Sequence, residues 1–197
     1  AIRECLTSRY PRERYLLANK LSGGCIEKEE DILPFFQAQL EACGVEYFDF
    51  YLLHAVSKKN DEHFTKTRAY EAARQLKEQG KVRHLGFSFH DSYESFKRIL
   101  NAYDGWDFCQ IMLNYMDVNY QAGMAGLEDA HEKGLAVVIM EPLRGGALAN
   151  VPEDVAAILP KSPVESALDF LWNLPQVNVV LSGMNSTEQV EQNMEYA

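Results

Sequence analysis

The chain has 197 residues, enough for one domain with a substantial core. It is 47% hydrophobic and 24% charged, the balance of an ordinary globular protein. Its formal charge of -10 comes from scattered acidic residues, which argues against a nucleic-acid footprint or an anionic membrane partner. No apolar run approaches the roughly 20 residues of a membrane span. The four cysteines, Cys5, Cys25, Cys43 and Cys109, include no C-x-x-C pair. That spacing speaks against a zinc or iron–sulfur site and predicts buried free thiols in a reducing cytoplasm.

Ala1 to Arg9 reads as the end of a helix, closed by Pro11, and the chain starts on Ala1 without a signal peptide. A piece of something longer is expected. Tyr15 to Lys20 is a short strand ending on a lysine, and Ser22-Gly-Gly24 breaks it. Glu27 to Cys43 has helical spacing, with Ile32, Leu33, Phe36 and Leu40 on one face. Pro34 inside it demands a late start or a kink, and Gly44 suits the residue after the helix. Tyr47-Phe-Asp-Phe-Tyr-Leu-Leu-His54 is nearly all apolar and stops on a histidine, the pattern of a strand buried on both faces. Ser57 to His63 is a loop and Thr67 to Gln79 an amphipathic helix before Gly80.

Val82 to Phe89 is a strand that finishes on Ser88, and Asp91 or Ser92 caps a helix running to about Tyr103. Phe108 to Tyr115 is a strand, Gln121 to Lys133 a helix before Gly134, and Ala136 to Met140 a strand. Glu141-Pro-Leu-Arg-Gly-Gly146 follows as its loop. Ser162, Pro163 and Glu165 open a helix with a capping box. Val177 to Leu181 is the last strand, Ser182 to Asn185 its loop, and Ser186 to Gln189 a second capping box on the final helix. Gly44, Gly80 and Gly134 each precede a strand. The run is six βαβ-type units in an α/β protein. A closed (β/α)8 barrel needs about eight. The expected fold is therefore a TIM barrel present as one partial domain over 1–197, carrying strands 3 to 8. Its edge at residues 15–20 would then invite association.

In such a barrel, side chains at the C-terminal strand ends share one rim. Lys20 and His54 end consecutive strands and could meet there. A lysine can lower the pKa of a nearby acid or form a Schiff base, and a histidine can hydrogen-bond a carbonyl oxygen. Ordinary roles, a solvated strand end and a satisfied core histidine, stay open for each. Ser88, Gln110 and Asn114 lie near strand ends and suit a carboxamide or a phosphate. Gly145-Gly146 and Gly183 sit in loops whose backbone N–H groups suit phosphate. His63, His84, His90 and His131 have no metal-ligand spacing, and Trp106 and Trp172 read as packing. Neither G-x-G-x-x-G nor a P-loop is present.

Leu16 to Lys20, Tyr47 to His54, Val82 to Ser88, Gln110, Glu141 to Leu143 and Ser182 to Asn193, in this order, resemble the aldo/keto reductase family. Met140 to Gly146 and Phe87 to His90 are most similar to its bacterial subgroup with a ferredoxin-like 4Fe-4S domain after the barrel, a tail this sequence does not contain. The resemblance implies a (β/α)8 barrel that binds NADPH in an extended pose and transfers hydride to a carbonyl. It implies an Asp, Tyr, Lys and His tetrad in which the tyrosine is the general acid. Lys20 and His54 match the lysine and histidine, while the Asp and Tyr are expected before Ala1. Ser88 and Gln110 match the holders of the nicotinamide carboxamide, with Phe89 where an asparagine is usual. Met140 stands where a tyrosine commonly stacks on the ring. Leu143 and Gly145 match the pyrophosphate loop. Gly183, Met184, Gln189 and Asn193 match the adenosine and 2′-phosphate end, with Gln189 where an arginine is common. NADP is the implied cofactor and NAD the alternative.

The first expectation is an NAD(P)H-dependent carbonyl reductase acting on a small molecule in the cytoplasm. The alternatives are a non-catalytic nucleotide-binding barrel acting as a regulatory or redox-partner module, and a Schiff-base aldolase using Lys20.

Overall fold

The computed structural model describes all 197 residues. Its strands are β1 (Ala18–Ser22), β2 (Phe48–Val56), β3 (Val82–Phe89), β4 (Phe108–Met112), β5 (Ala136–Met140) and β6 (Val177–Val180). They form a six-stranded sheet in chain order. The pairs β1·β2, β2·β3, β3·β4 and β5·β6 are parallel. Parallel neighbours need long crossovers, and here they are helices: α1 (Ile32–Cys43), α2 (Asp61–Lys66), α3 (Ala69–Glu78), α4 (Tyr93–Ala102), α5 (Gly123–Glu132), α6 (Glu153–Ala156) and α7 (Pro163–Trp172), with α8 (Thr187–Tyr196) after the last strand. The chain is an α/β protein with two compact units, Ala1–Gln110 and Ile111–Ala197.

In the first unit the strand of 15–20 is displaced: β1 runs through Ser22, and a 3-10 turn over Gly23–Cys25 follows it. Of the two options for Pro34, the late start is realised. α1 begins at Ile32 after a 3-10 turn, so Pro34 falls in the first turn, where its missing N–H has no intrahelical acceptor to lose. Ile32, Phe36, Leu40 and Cys43 are buried, whereas Leu33, expected on that face, is 56% exposed. Phe36 packs edge-on to Phe48 and Tyr51 of β2. The loop expected over 57–63 ends in α2, and α3 starts only at Ala69 because Arg68 is left-handed at φ 53°. Ser92 caps α4 by accepting from the Ser95 N–H, while Asp91 accepts from the Lys58 and Ser92 amides. Those bonds hold the Asp91 carboxyl below its usual range. Phe87, Phe89 and Phe96 build the core under α4 with Trp106. Gly86 has no alternative residue, because a Cβ there would lie 2.5 Å from the Phe108 carbonyl oxygen and 2.7 Å from its ring.

One buried carboxylate ties the strand starts together. Asp49 is 1% exposed. It accepts from the Leu17 N–H at 2.8 Å, from Arg12, and from Arg83 of β3 at 3.0 Å. Arg12 and Arg83 also lie over the Tyr47 ring, at 3.9 and 4.3 Å from its centroid.

β2 also differs from expectation at its end, since it continues past His54 to Val56. Leu53 pairs with Phe87 and Val56 with Phe89, so His54 and Ala55 together oppose Ser88. This is a β-bulge, in which two residues face one. Ala55 takes φ 54°, a conformation a non-glycine residue rarely adopts. Its backbone is held on both sides: the N–H donates to Ser88 Oγ at 2.8 Å, and the carbonyl accepts from Asn60 Nδ2 at 2.8 Å.

In the second unit β4 stops at Met112 rather than at Tyr115. Asn114, wholly buried, turns the chain by accepting the Met116 and Asp117 amides at 3.0 Å each. Left-handed Gln121 delays α5 to Gly123. Ser162 caps α7 as expected, but the box is not closed: the Glu165 carboxylate pairs with Lys161 at 2.8 Å instead. Ser186 caps α8, and Gln189 Oε1 accepts from the Asn185 amide rather than from Ser186. Trp172 is 39% exposed and is not core packing. Cys43 and Cys109 are buried as expected, but Cys5 and Cys25 are exposed. The glycines before β2, β3 and β5 are left-handed at φ 68°, 72° and 78°, as the αβ turns require.

Asp49→Ala leaves two guanidinium groups and an amide without their shared acceptor, and is expected to cost about 3 kcal/mol in urea unfolding at pH 7; a loss under about 1 kcal/mol would show the cluster to be ornamental. Ala55→Gly is expected to be neutral to slightly stabilising, because relief of about 1–2 kcal/mol is offset by about 0.4–1 kcal/mol of unfolded-state freedom. Ala55→Val should lose about 1–2 kcal/mol by worsening the left-handed strain; equal midpoints for the two variants would contradict the bulge.

Candidate functional site

Register decides which polar groups share a level. Ser22 pairs with His54, and Ser88, opposed by the His54–Ala55 bulge, pairs with Gln110. The row Ser22, His54, Ser88, Gln110 therefore crosses the C-terminal ends of four adjacent strands. Side chains two apart on a strand share a face. Lys20 thus lies on the Ser22 face, one step below the row, opposite Leu52. The two residues expected to meet, Lys20 and His54, are brought to one rim.

His54 is half-buried, and its Nδ1 lies 2.8 Å from Ser22 Oγ. Its pKa is lowered first by burial, then by the Lys20 ammonium and by His90 just beyond β3. The ring is accordingly neutral at pH 7. Lys20 takes part in no ion pair of this unit. Ser88, 1% exposed, spends an acceptor lone pair on the Ala55 N–H and keeps its own hydroxyl proton to donate. Gln110, 8% exposed, leaves its amide without a partner in the chain. A buried, uncommitted amide beside a free hydroxyl proton fits a carboxamide, which needs both a donor and an acceptor. Tyr51 cannot act at this rim. Its ring belongs to the Phe36 and Phe48 cluster, its hydroxyl donates to Gln39 Oε1 at 2.7 Å, and burial raises its pKa further.

In the second unit Met140 ends β5, and Leu143 and Gly145 follow in a loop of unusual backbone. Glu141, Arg144, Gly145 and Gly146 all have positive φ. Asn114 Nδ2 donates to the Glu141 carbonyl at 3.2 Å, and Asp117 Oδ2 takes the Arg144 Nε–H at 2.9 Å. These contacts fix the loop from below. After β6, Gly183 and Met184 are exposed, Gln189 is committed to the Asn185 amide, and Asn193 donates to Ser182 Oγ at 2.8 Å. Gln189 and Asn193 therefore shape the loop through their own bonds, and their remaining lone pairs and protons face solvent.

Sequence reasoning passed over Ser22, Ala55, His90 and the Asp117–Arg144 pair. Ser22 carried a signal: it sits two residues past Lys20, on the same face of a strand, but next to Gly23 it read as a breaker. His90 lacked metal spacing, and its place beside His54 depends on the turn after β3. The bulge has no signature, since alanine gives no hint of a left-handed backbone.

The model of the aldo/keto reductase family matches residues 1–197. An aldo-keto reductase of Mycolicibacterium vanbaalenii is 25% identical over 189 residues, covering 94% of this chain and 63% of that protein. One of Mycolicibacterium smegmatis is 25% identical over 196 residues, covering 98% of this chain and 67% of its own. The chain thus spans about two thirds of the length of the curated relatives it matches. Among solved structures, the aldo-keto reductase AKR11C1 of Bacillus halodurans in its holo form superposes with a TM-score of 0.77 at 22% identity, over 99% of this chain and 69% of that one. The thermostable aldo-keto reductase Tm1743, solved with the inhibitor epalrestat, gives 0.77 at 18% identity, over 99% and 70%. The fold is the one those structures share, and the match along the whole chain places it in the aldo/keto reductase family.

Proposed function

We propose that this chain carries the lysine and histidine of an NAD(P)H-dependent oxidoreductase that reduces an aldehyde or ketone to an alcohol. The observation that carries the reading is the single row of Ser22, His54, Ser88 and Gln110, with Lys20 one step below it. A neutral imidazole at such a rim donates an N–H to a carbonyl oxygen and stabilises the negative charge that develops there. The Lys20 ammonium adds a positive field on the same face. Within the first unit Ser88 and Gln110 suit the carboxamide of the nicotinamide; within the second, Met140, Leu143 and Gly145 keep the family's positions for ring packing and for the pyrophosphate loop. Gly183, Met184, Gln189 and Asn193 sit at the adenosine end. A bound dihydronicotinamide supplies the hydride. With Gln189 neutral, no arginine grips a 2′-phosphate at that position, and NADP over NAD rests on the family.

We further read the six strands as strands 3 to 8 of an eight-stranded barrel, a reading supported by the order of the motifs and by the length of the relatives. The wording of Phe87–His90 and Met140–Gly146 supports the subgroup with a ferredoxin-like domain. Free thiols at Cys5, Cys25, Cys43 and Cys109 support a cytoplasmic location. No helix is long and apolar enough to cross a membrane.

NADPH is expected to quench the tryptophan fluorescence saturably, and Ser88→Ala with Gln110→Ala should weaken that binding about tenfold or more. In the full-length protein, NADPH-dependent turnover of an aromatic aldehyde should fall about 10²-fold or more in His54→Ala. Absence of NADPH binding would overturn the assignment. Binding without turnover by the full-length protein would favour a regulatory nucleotide-binding module, which Phe89 and Met140 at the nicotinamide positions also suit.

A further inference from the structure

We propose that Ser22 is a positioning residue that holds His54 as a neutral imidazole with its proton on Nε2, so that the rim recognises a hydrogen-bond acceptor. The carbonyl oxygen named as that acceptor rests on the reductase reading; the positioning itself does not.

The argument starts from register. Ser22 and His54 are directly paired across β1 and β2, and Ser22 Oγ lies 2.8 Å from Nδ1. Serine has one side-chain torsion, so this contact is short and stiff. An imidazole ring can turn half a revolution about Cβ–Cγ, exchanging Nδ1 with a carbon. A bond to Nδ1 selects one of the two orientations and leaves Nε2 on the edge turned away from Ser22. The bulge reinforces the choice from the backbone side, because Ser88 and Asn60 clamp the residue that follows His54.

Which atom carries the proton follows from counting donors. A neutral imidazole has one N–H and one bare nitrogen. The Ser22 hydroxyl makes no other hydrogen bond, so Nδ1 is the one acceptor its proton has. With the proton on Nδ1, two hydrogens would face each other or the hydroxyl proton would have to leave its one protein acceptor for water. With the proton on Nε2, both groups are satisfied and the ring offers an N–H to the rim. The groups that face His54 from the neighbouring elements are the Lys20 ammonium on β1 and His90 after β3, and both, with burial, disfavour a second proton on the ring.

Nitrogen-15 spectra of histidine-labelled protein test this directly at pH 7.5, with His54→Gln supplying the assignment. Wild type is expected to show His54 in a single form protonated at Nε2. Ser22→Thr keeps the hydroxyl and should preserve that pattern. Ser22→Ala should give a mixed pattern with added Nδ1–H form, together with a fall of about tenfold in kcat at little change in KM. Wild-type protonation at Nδ1, or a Ser22→Ala spectrum identical to wild type, would overturn the proposal. A locked Nε2–H form in protein that neither binds NADPH nor reduces an aldehyde would reject the reductase reading and leave the positioning role standing.

Discussion

A carboxylate with almost no contact with water holds the starts of three strands. Asp49 joins the backbone at Leu17 just before β1, its own strand β2, and Arg83 of β3, with Arg12 closing the cluster. Strands that pair in parallel can slip, and a slip of one residue turns every side chain to the other face. Fixing the starts fixes the ends. Three residues past Leu17 comes Lys20, five past Asp49 comes His54, and five past Arg83 comes Ser88. The polar rim is thus set by an ion cluster at the opposite end of the same strands. Such a cluster contributes little net stability relative to apolar packing, but breaking it leaves buried charge, so it specifies alignment more than it adds strength.

In each unit the backbone also departs from ideal geometry at or just past the end of a strand. Ala55 is left-handed beside His54, and Glu141 and Arg144 are left-handed in the loop after β5. Each costs of order 1–3 kcal/mol and persists only where its surroundings hold it. Here the holders are on view: Ser88 and Asn60 for Ala55, Asn114 and Asp117 for the Glu141–Arg144 loop. In each unit, polar side chains at strand ends do two jobs, bracing a bent segment and presenting whatever bonding capacity remains. Ser88 illustrates this most plainly, with its lone pair on Ala55 and its proton still available.

Much of this was legible from residue order. The apolar run from Tyr47, the strand from Val82, the strand over Ala136–Met140 and the caps Ser92, Ser162 and Ser186 follow from local pattern, and they stand. Lys20 and His54 were found because each ends an apolar run. What escaped depends on contacts distant in sequence. Ser22 reads as a breaker until β2 is laid beside it. Glu165 and Gln189 have the spacing of capping boxes, yet a nearby lysine and a different amide win their side chains. Leu33 fits the helical period but sits in the first turn of α1, where its side chain is left exposed. Trp172 looks like core by residue type, and no local signal places it at the surface.

The account stands on Lys20 and His54 sharing one rim, and the His54 titration followed by NMR in wild type and in Lys20→Met reads that proximity most directly. Burial and the ammonium both disfavour the imidazolium, so the wild-type midpoint lies below the ordinary value of about 6.5. Removing the ammonium takes away one of the two, so the midpoint must move to higher pH, and more so at low salt. His90 remains in both proteins and cannot produce the difference. A midpoint that stays in place would mean that residue 20 and residue 54 do not face each other, contradicting the shared rim.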